Sequence, residues 1–305
     1  MNNYPCTGLS DLQTFRLRNR LRRDRNPDTR RVSGPSDLRI LAASLLLVLS
    51  LFSFPAIGQE RSDVIISGEK STGAIILASS GSCAPLIVSP GEWPGVTRAV
   101  SDLQNDLGQV AGTKPDLIIT SKPAGSEFMI IAGTIGKSTL IDRLIKRNKI
   151  DVGPINGKWE SFIIQTVEKP FPGMKSALVI AGSDKRGTIY GIYEISRQAG
   201  VSPWYWWADV PVRKSNKLYV IPGRHVWGEP SVKYRGIFLN DEYPALTRWV
   251  AYKYGNVTPS ANPPVPPGVA NYGSEFYRKI FEVLLRLKAN YLWPAMWNNA
   301  FNEDD

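Results

Sequence analysis

The apolar pattern of residues 62–221 alternates short β-rich runs with stretches of helical spacing. Three stretches with apolar residues three and four positions apart predict helices at Val96–Gly112, from Ser138 onward and at Gly187–Gly200. Because the strand-like runs are interleaved with these helices, the pattern predicts an α/β domain with a mixed sheet. The predicted strands are DVIIS, AIILAS, PLIVS, DLIIT, FMIIAGT, SFIIQTVE, SALVIAG and KLYVIP.

A second block follows the connector Pro222–Ser231. The run Arg235–Leu239 predicts a strand, the stretch SEFYRKIFEVLLRLKAN predicts an amphipathic helix with Ser274 as its N-cap, and NYLWPA predicts another strand. Residues 255–271 contain five prolines, which excludes regular structure and indicates an extended surface loop. A strand, a crossover helix and a second strand form one βαβ unit with parallel strands.

The formal net charge of +10 is concentrated at the front of the chain. Residues 1–58 contain nine arginines and four aspartates, whereas the other 247 residues contain 28 basic and 23 acidic groups. The later part therefore has an ordinary solvated surface, and it contains no run typical of nucleic-acid readers. We expect no nucleic-acid partner.

Fifteen uncharged residues, Ile40–Phe54, follow the basic stretch. A membrane-spanning helix needs about 20 apolar residues, whereas a basic flank, a short apolar run and the small residues Ala56 and Gly58 are typical of a secretory signal. We predict a leader at residues 1–58 that is cleaved near Gly58, giving a secreted or periplasmic protein without stable membrane association. The alternative is a membrane anchor or a buried helix.

Residues suited to metal or redox chemistry are few. Cys6 lies in the predicted leader, so Cys83 is the one cysteine left after cleavage, and His225 is the one histidine. An intramolecular disulfide is then excluded, and we expect neither a metal nor a cofactor. His225 lies in the connector, where we interpret it as structural or solvated.

Polar and aromatic residues follow both strands of the βαβ unit. In a β/α barrel, the side chains at the carboxyl ends of the strands line the active site. Carboxylates and amides hydrogen-bond sugar hydroxyls, and an indole covers the apolar face of a sugar ring, so the pattern predicts a carbohydrate cleft. The alternative is a turn after the first strand and a tryptophan pair in the core. The residues concerned are Asn240, Asp241 and Glu242 after the first strand and Met296, Trp297, Asn298 and Asn299 after the second.

Two further features lie upstream. Trp204–Trp207 are four successive aromatic residues, which cannot all point into one core. They predict either a domain interface or a sugar platform, with the interface favoured. Glu194 lies among apolar neighbours on the predicted Gly187–Gly200 helix, either as a helix-surface charge or as a group that reaches into the cleft of the neighbouring domain.

Three long motifs resemble family 115 glycoside hydrolases, the xylan α-1,2-glucuronidases: GTIYGIYEISRQAGVSPWYWWADVPV, YRGIFLNDE and LLRLKANYLWPAMWNNAFNEDD. The resemblance covers Ser62–Asp305. It implies an N-terminal α/β domain like that of hexosaminidase-type enzymes, followed by a (β/α)₈ TIM barrel. It also implies removal of (4-O-methyl)glucuronic acid from glucuronoxylan with inversion, by a carboxylic acid and a carboxylate about 6.5–9.5 Å apart.

The leader at 1–58 lies outside the resemblance, which divides the rest of the chain into an N-terminal α/β domain at 59–228 and the start of the catalytic barrel at 229–305. A complete barrel takes about 250 residues, and Lys233–Asp305 supplies 73. We therefore expect a truncated barrel, a catalytic acid and base beyond Asp305, and an inactive fragment. A homodimer of the full-length protein is left open. The expected substrate-binding residues are Asp241, Glu242, Trp297, Asn298 and Glu194.

An alternative function is a non-catalytic carbohydrate-binding or adhesion protein that uses its tryptophan-rich surfaces. The enzyme hypothesis needs a two-carboxylate pair on opposite sides of the scissile bond. Asp241 and Glu242 follow the same short strand, so we expect both to bind substrate rather than to form that pair.

Overall fold

A computed structural model describes residues 64–125, 127–241, 245–255, 270, 272–296 and 301. The predicted leader, residues 1–58, lies outside the described residues, as does most of the proline-rich stretch. All described residues belong to one unit, Arg61–Asp305. None of its described helices combines the length and the apolar character needed to span a membrane.

The described elements alternate between strands and helices, as the sequence pattern predicts. The helices are α1 Pro94–Ala111, α2 Thr139–Lys146, α3 Lys185–Ala199, α4 Ala245–Tyr254 and α5 Ser274–Arg286. The strands are β1 Ile66–Ser67, β2 Ile75–Ser79, β3 Ser82–Cys83, β4 Leu86–Val88, β5 Leu117–Ile119, β6 Phe128–Thr134, β7 Phe162–Glu168, β8 Ser176–Gly182, β9 Leu218–Val220, β10 Arg224–Trp227, β11 Gly236–Phe238 and β12 Tyr291–Trp293.

The largest sheet has six strands in the order β10-β7-β8-β6-β4-β5. Strands β5, β4, β6 and β8 run parallel, whereas β7 and β10 join in antiparallel pairs. The predicted mixed sheet is therefore confirmed, and the protein has an α/β fold. A smaller antiparallel sheet has the order β1-β9-β2-β3.

Both faces of the large sheet are covered, which explains why its central strands are apolar at almost every position. Side chains alternate between the two faces along a strand. Ile130 and Leu178 pack into one core with α1, α3 and the small sheet, whereas Ile131 and Val179 pack into a second core with α2. The large sheet is thus the middle layer of the α/β sandwich.

Side-chain caps fix where two of these helices begin. The hydroxyl of Ser138 accepts the N–H of Ile141 at 3.5 Å, so the predicted start of α2 is confirmed. The carboxylate of Asp184 accepts the N–H of Gly187 at 2.7 Å and starts α3 two residues earlier than predicted. In each case the side chain satisfies an N–H that the first helical turn leaves without an intrahelical partner.

The second block contains a two-stranded parallel sheet of β11 and β12. Gly236 pairs with Tyr291, and a Cβ at Gly236 would overlap the carbonyl oxygen of Tyr291, so this close approach requires glycine. One face of the pair packs through Ile237 and Leu292 against the helices α4 and α5. The predicted pairing of a parallel βαβ unit is confirmed.

Two sequence expectations about local structure are wrong, and one helix has no counterpart among them. The connector Pro222–Ser231 contains the strand β10, because its residues satisfy the free edge of β7. The sequence pattern does not predict helix α4, because its apolar periodicity is short. The helix contacts the core only through Val250 and its neighbours. The N-cap of α5 is Gly273, which makes no side-chain cap bond, and Ser274 is the first helical residue.

A buried ionic network joins the second block to the α/β sandwich. Two guanidinium nitrogens of Arg286 on α5 donate to the carboxylate of Asp106 on α1, at 2.8 and 3.2 Å, and Nε donates to Glu282 at 2.9 Å. The hydroxyl of Tyr205 also donates to Glu282, at 2.9 Å, and the ring of Tyr193 lies 4.6 Å from the guanidinium. Burial acts to lower the pKa of Arg286, but the bonds and charges of Asp106 and Glu282 outweigh it and raise that pKa.

Replacing Arg286 by methionine tests this junction. Arg286→Met keeps much of the side-chain volume but leaves the Asp106 carboxylate buried without its cation, so we expect a loss of about 3–5 kcal/mol in the free energy of unfolding. Urea titration followed by circular dichroism measures it. The matched control is Arg278→Met, because Arg278 forms an exposed pair with Glu275 on the same helix and should change the value by about 1 kcal/mol or less. Equal losses in the two variants would contradict the structural role of Arg286.

Candidate carbohydrate site

The carboxyl ends of β11 and β12 meet at one edge of their sheet. Phe238 pairs with Trp293, and the N–H of Leu239 donates to the carbonyl of Trp293 at 3.0 Å. The residues that follow the two strands, Asn240–Asp241 and Pro294–Met296, therefore leave the sheet on the same side. This is the neighbourhood that the sequence pattern predicts for a carbohydrate cleft.

Asp241 and Asn240 have different surroundings at this edge. Asp241 is buried, with 2% of its surface exposed, whereas Asn240 is exposed. The hydroxyl of Thr247 donates to the backbone carbonyl of Asp241 and lies 2.9 Å from the hydroxyl of Tyr272. Burial and the negative charge of Asp241 raise the pKa of Tyr272 to about 12, and the hydrogen bond shared with Thr247 acts in the opposite direction. Tyr272 therefore stays protonated at neutral pH beside the aspartate.

Exposed apolar side chains stand next to these polar groups. Phe238 and Trp293 are both exposed and pack edge to face with ring centroids 5.5 Å apart. The indole N–H of Trp293 points to the sulfur of Met296 at 3.0 Å, which fixes the ring across the strand end. An exposed aromatic pair beside the exposed amide of Asn240 provides both an apolar platform and a hydrogen-bonding group, which is the combination that a sugar ring needs.

Three of the five predicted substrate-binding residues, Glu242, Trp297 and Asn298, lie outside the described residues, and their roles stay predictions. Asp241 lies at the predicted edge, and its role also stays a prediction. Sequence reasoning did not find Thr247 and Tyr272, because they approach Asp241 only through α4 and the start of α5. No signal in the sequence marks that contact.

Glu194 lies away from this edge. It is buried, with 2% exposed, and its carboxylate is paired with Arg197 at 2.5 Å on the same helix and with Lys288 at 2.7 Å. Lys288 precedes β12, so Glu194 contacts the amino end of the two-stranded sheet, whereas Asp241 follows its carboxyl end. The structure does not bring Glu194 and Asp241 together. Glu194 is not a helix-surface charge, because it reaches the second block.

The four successive aromatic residues mainly form an interface. Trp207 packs on Phe276 and Trp249, with ring centroids 5.9 and 5.5 Å apart, and its indole N–H donates to the carbonyl of Lys279 at 3.1 Å. Trp206 packs on Trp249 at 6.0 Å. These contacts favour the interface over the sugar platform. Trp204 is the exception, since 45% of its surface is exposed.

Glu160 forms a second junction that the sequence did not indicate. This carboxylate is buried, with 1% exposed, and accepts bonds from Arg186 and Arg235 at 2.5 Å and from the amide of Asn290 at 2.9 Å. Burial opposes its ionisation, but these donors lower the pKa of Glu160. Arg235 and Asn290 directly precede the two parallel strands, so Glu160 holds the amino end of their sheet.

The described part of the chain contains no group of three or more histidine, cysteine or acidic residues that could hold a metal ion. The groups gathered at the strand ends are hydroxyls, an amide, a carboxylate and aromatic rings. They suit binding of a polyhydroxylated ligand.

Comparison with known proteins agrees with this chemistry. The sequence model of glycosyl hydrolase family 115 matches residues 227–305. The solved structure of BtGH115A, a family GH115 4-O-methyl-alpha-glucuronidase with specificity for decorated arabinogalactans, is 38% identical in sequence with a TM-score of 0.56, over 72% of this chain and 25% of its own. CpGH84D is 10% identical with a TM-score of 0.35, over 57% of this chain and 24% of its own, a likeness too low to support a conclusion. No curated protein matches the chain.

The family model and the solved structure BtGH115A that match this chain both belong to the glycoside hydrolase class. The chain belongs to glycosyl hydrolase family 115. It spans about a quarter of the length of BtGH115A.

The buried pairs of Glu194 predict a pH-dependent stability. Burial acts to raise its pKa, but the bonds from Arg197 and Lys288 outweigh this and lower it below its ordinary value. A carboxylate with a lowered pKa in the folded state stabilises the protein above its unfolded-state pKa, and that contribution disappears as the pH falls through the folded-state value. Glu194→Gln should therefore lower the free energy of unfolding most at pH 6–7, with the difference from wild type shrinking below about pH 4.5.

Urea unfolding at a series of pH values measures the effect. Glu275→Gln is the matched control, because Glu275 forms an exposed pair with Arg278 and should show little difference at any pH. A Glu194→Gln difference that stays constant from pH 7 to pH 3 would contradict the assignment.

Proposed function

We propose that the protein is a glycoside hydrolase of the α-glucuronidase type that removes (4-O-methyl)glucuronic acid side chains from a plant polysaccharide. The observation that carries this proposal is the 38% identity to BtGH115A, a 4-O-methyl-alpha-glucuronidase. The sugar-binding chemistry at the carboxyl ends of β11 and β12 supports it. The bond to be cleaved is then an α-linkage between a uronic acid and the main chain.

The substrate class follows from two sources. The motif resemblance favours glucuronoxylan or its oligosaccharides, whereas BtGH115A has specificity for decorated arabinogalactans. Both glycans present an acidic sugar as a side chain. We propose glucuronoxylan as the substrate, with decorated arabinogalactan as the comparison that tests it.

The finer architecture is also a proposal. Residues 59–228 would correspond to the N-terminal domain of hexosaminidase-type enzymes, and residues 229–305 to the first strands of a (β/α)₈ barrel. The parallel pairing of β11 with β12, with helices between them in sequence and packed on one face, supports the second part. Within this proposal, formation of a homodimer by the full-length protein is left open.

The proposed mechanism is inverting. One carboxylic acid protonates the leaving oxygen, and one carboxylate removes a proton from the attacking water. Asp241 and Glu242 follow the same strand, so we assign both to substrate binding with Trp297 and Asn298, and we place the acid and base on other strand ends. Asn240, which is exposed at the same edge, is suited to a sugar hydroxyl.

Hydrolysis and its stereochemistry test the function. The protein expressed from its gene should release (4-O-methyl)glucuronic acid when it is incubated with glucuronoxylan. Proton NMR should show the β-anomer first, because inversion of an α-linkage gives the β-anomer. Decorated arabinogalactan should release less. Release of the α-anomer first would contradict inversion, and release from neither glycan would contradict the function.

Binding by the 305-residue chain tests the cleft residues separately. An oligosaccharide with one 4-O-methylglucuronic acid should bind without being cleaved, and Trp297→Ala should weaken binding about tenfold, as is common for a central aromatic contact. Trp204→Ala is the control, because Trp204 is an exposed tryptophan that follows neither β11 nor β12. Cleavage by this chain would contradict the assignment of the catalytic pair to other strand ends.

Export is proposed as well. A chain secreted or delivered to the periplasm should begin near residue 59, and mass spectrometry of the exported protein measures this. An intact Met1 would contradict signal cleavage.

A further inference from the structure

An exposed tryptophan in contact with two lysines lies at the carboxyl ends of β4, β6 and β8. Trp93, with 41% of its surface exposed, precedes α1. The ammonium of Lys137 lies 4.6 Å from the centroid of its ring, and that of Lys185 lies 5.9 Å away. Lys137 belongs to the loop after β6 and Lys185 to the first turn of α3. Three separate segments therefore place one apolar ring and two positive charges together.

The position of Trp93 is fixed by its neighbours. Glu92 is buried, and its carboxylate accepts the N–H of Trp93 and the N–H of Thr134, both at 2.9 Å. Gly91 turns the chain with φ +77°, and Pro94 begins α1 directly after the ring. A ring held in this way loses little conformational freedom when a ligand stacks on it.

The two lysines are available to an anion. The acids of the same loops are engaged with backbone N–H groups: Glu92 as above, Asp142 with Gly136 at 2.8 Å, and Asp184 with Gly187 at 2.7 Å. Among the residues that the structure describes, none forms an ion pair with Lys137 or Lys185. Their contacts to the ring are weak enough at an exposed position for either ammonium to turn toward a carboxylate.

We infer that Trp93, Lys137 and Lys185 form a binding surface for an acidic polysaccharide. The indole would stack on the apolar face of a sugar ring, and the two ammonium groups would bind carboxylates carried by sugars of the same polymer. That the natural ligand is a uronic-acid-bearing plant glycan rests on the proposed function.

This surface is separate from the predicted cleft. Arg186, next to Lys185, contacts Glu160, which holds the amino end of the β11–β12 pair through Arg235. The predicted cleft lies at the carboxyl end of that pair. The surface would therefore hold the polymer outside the cleft.

Affinity electrophoresis of the 305-residue chain tests the surface. Native gels contain glucuronoxylan, polygalacturonate or neutral arabinoxylan, and retardation gives the affinity. Trp93→Ala should weaken binding to both acidic polymers about tenfold. The double variant Lys137→Gln/Lys185→Gln should weaken binding several-fold and reduce its salt dependence. The neutral polymer should be retained weakly and equally by all variants.

Two matched controls separate the surface from general stickiness. Trp204→Ala removes another exposed tryptophan, and Lys70→Gln/Lys122→Gln removes two other exposed lysines; neither should change the affinity. The inference is overturned if Trp93→Ala binds like wild type or if the control variants lose as much affinity as Trp93→Ala. It is also overturned if only the lysine double variant loses affinity, because that result describes an unspecific basic patch. Unchanged circular dichroism spectra verify folding.

Polygalacturonate separates this inference from the proposed function, because it carries no 4-O-methylglucuronic acid. Trp93-dependent binding by the 305-residue chain, together with no release of uronic acid from glucuronoxylan by the protein expressed from its gene, would contradict the enzyme and keep the surface. Uronic acid release with no effect of Trp93→Ala would contradict the surface and keep the enzyme.

Discussion

The buried carboxylate of Glu160 is the contact on which the second block depends. A two-stranded sheet has too little buried surface to be stable by itself, so the β11–β12 pair has to be built on something. Glu160 accepts bonds from Arg235 and Asn290, which precede the two strands, and from Arg186 on α3. Its backbone has a φ of +52°, a left-handed conformation that costs free energy in a residue other than glycine. The three donors offset that cost and the cost of burying the charge.

A second set of contacts fixes the helices that cover the strands. Arg286 joins α5 to α1 through Asp106, Trp207 packs on Phe276, and the hydroxyl of Tyr190 donates to the carbonyl of Ala289 at 2.9 Å. The amino end of the strand pair and its covering helices are thus both attached to the α/β sandwich. Among the residues that the structure describes, the carboxyl end carries fewer such attachments and presents the exposed side chains Asn240, Trp293 and Met296. Rigidity at one end and accessible groups at the other suit a binding edge.

Charged groups are also divided between a buried junction and exposed surfaces. The buried ion pairs of Glu160, Glu194 and Arg286 lie between the sandwich and the second block, where removing one partner would leave an uncompensated charge. They are therefore positioned to hold the junction together, and a substrate-binding role of Glu194 stays a prediction. The lysines beside Trp93 are exposed, and such groups contribute to recognition of an anion more than to folding. Among the described residues, the carboxyl groups with shifted pKa values lie at the junction between the sandwich and the second block. The proposed binding surfaces lie elsewhere.

The sequence by itself determined the elements whose residues carry their own signal: the apolar strands of the central sheet, the start of α2 at Ser138, and the parallel βαβ unit with polar residues after each strand. These follow from local periodicity and capping, which depend on neighbours in the chain. Only the tertiary structure decided that the connector contributes β10, that α4 forms beside Asp241, that Glu194 turns to Lys288 and that Trp207 belongs to an interface. Each of these depends on a partner far away in sequence, such as the 94 positions between Glu194 and Lys288, and no local pattern encodes which distant group will arrive.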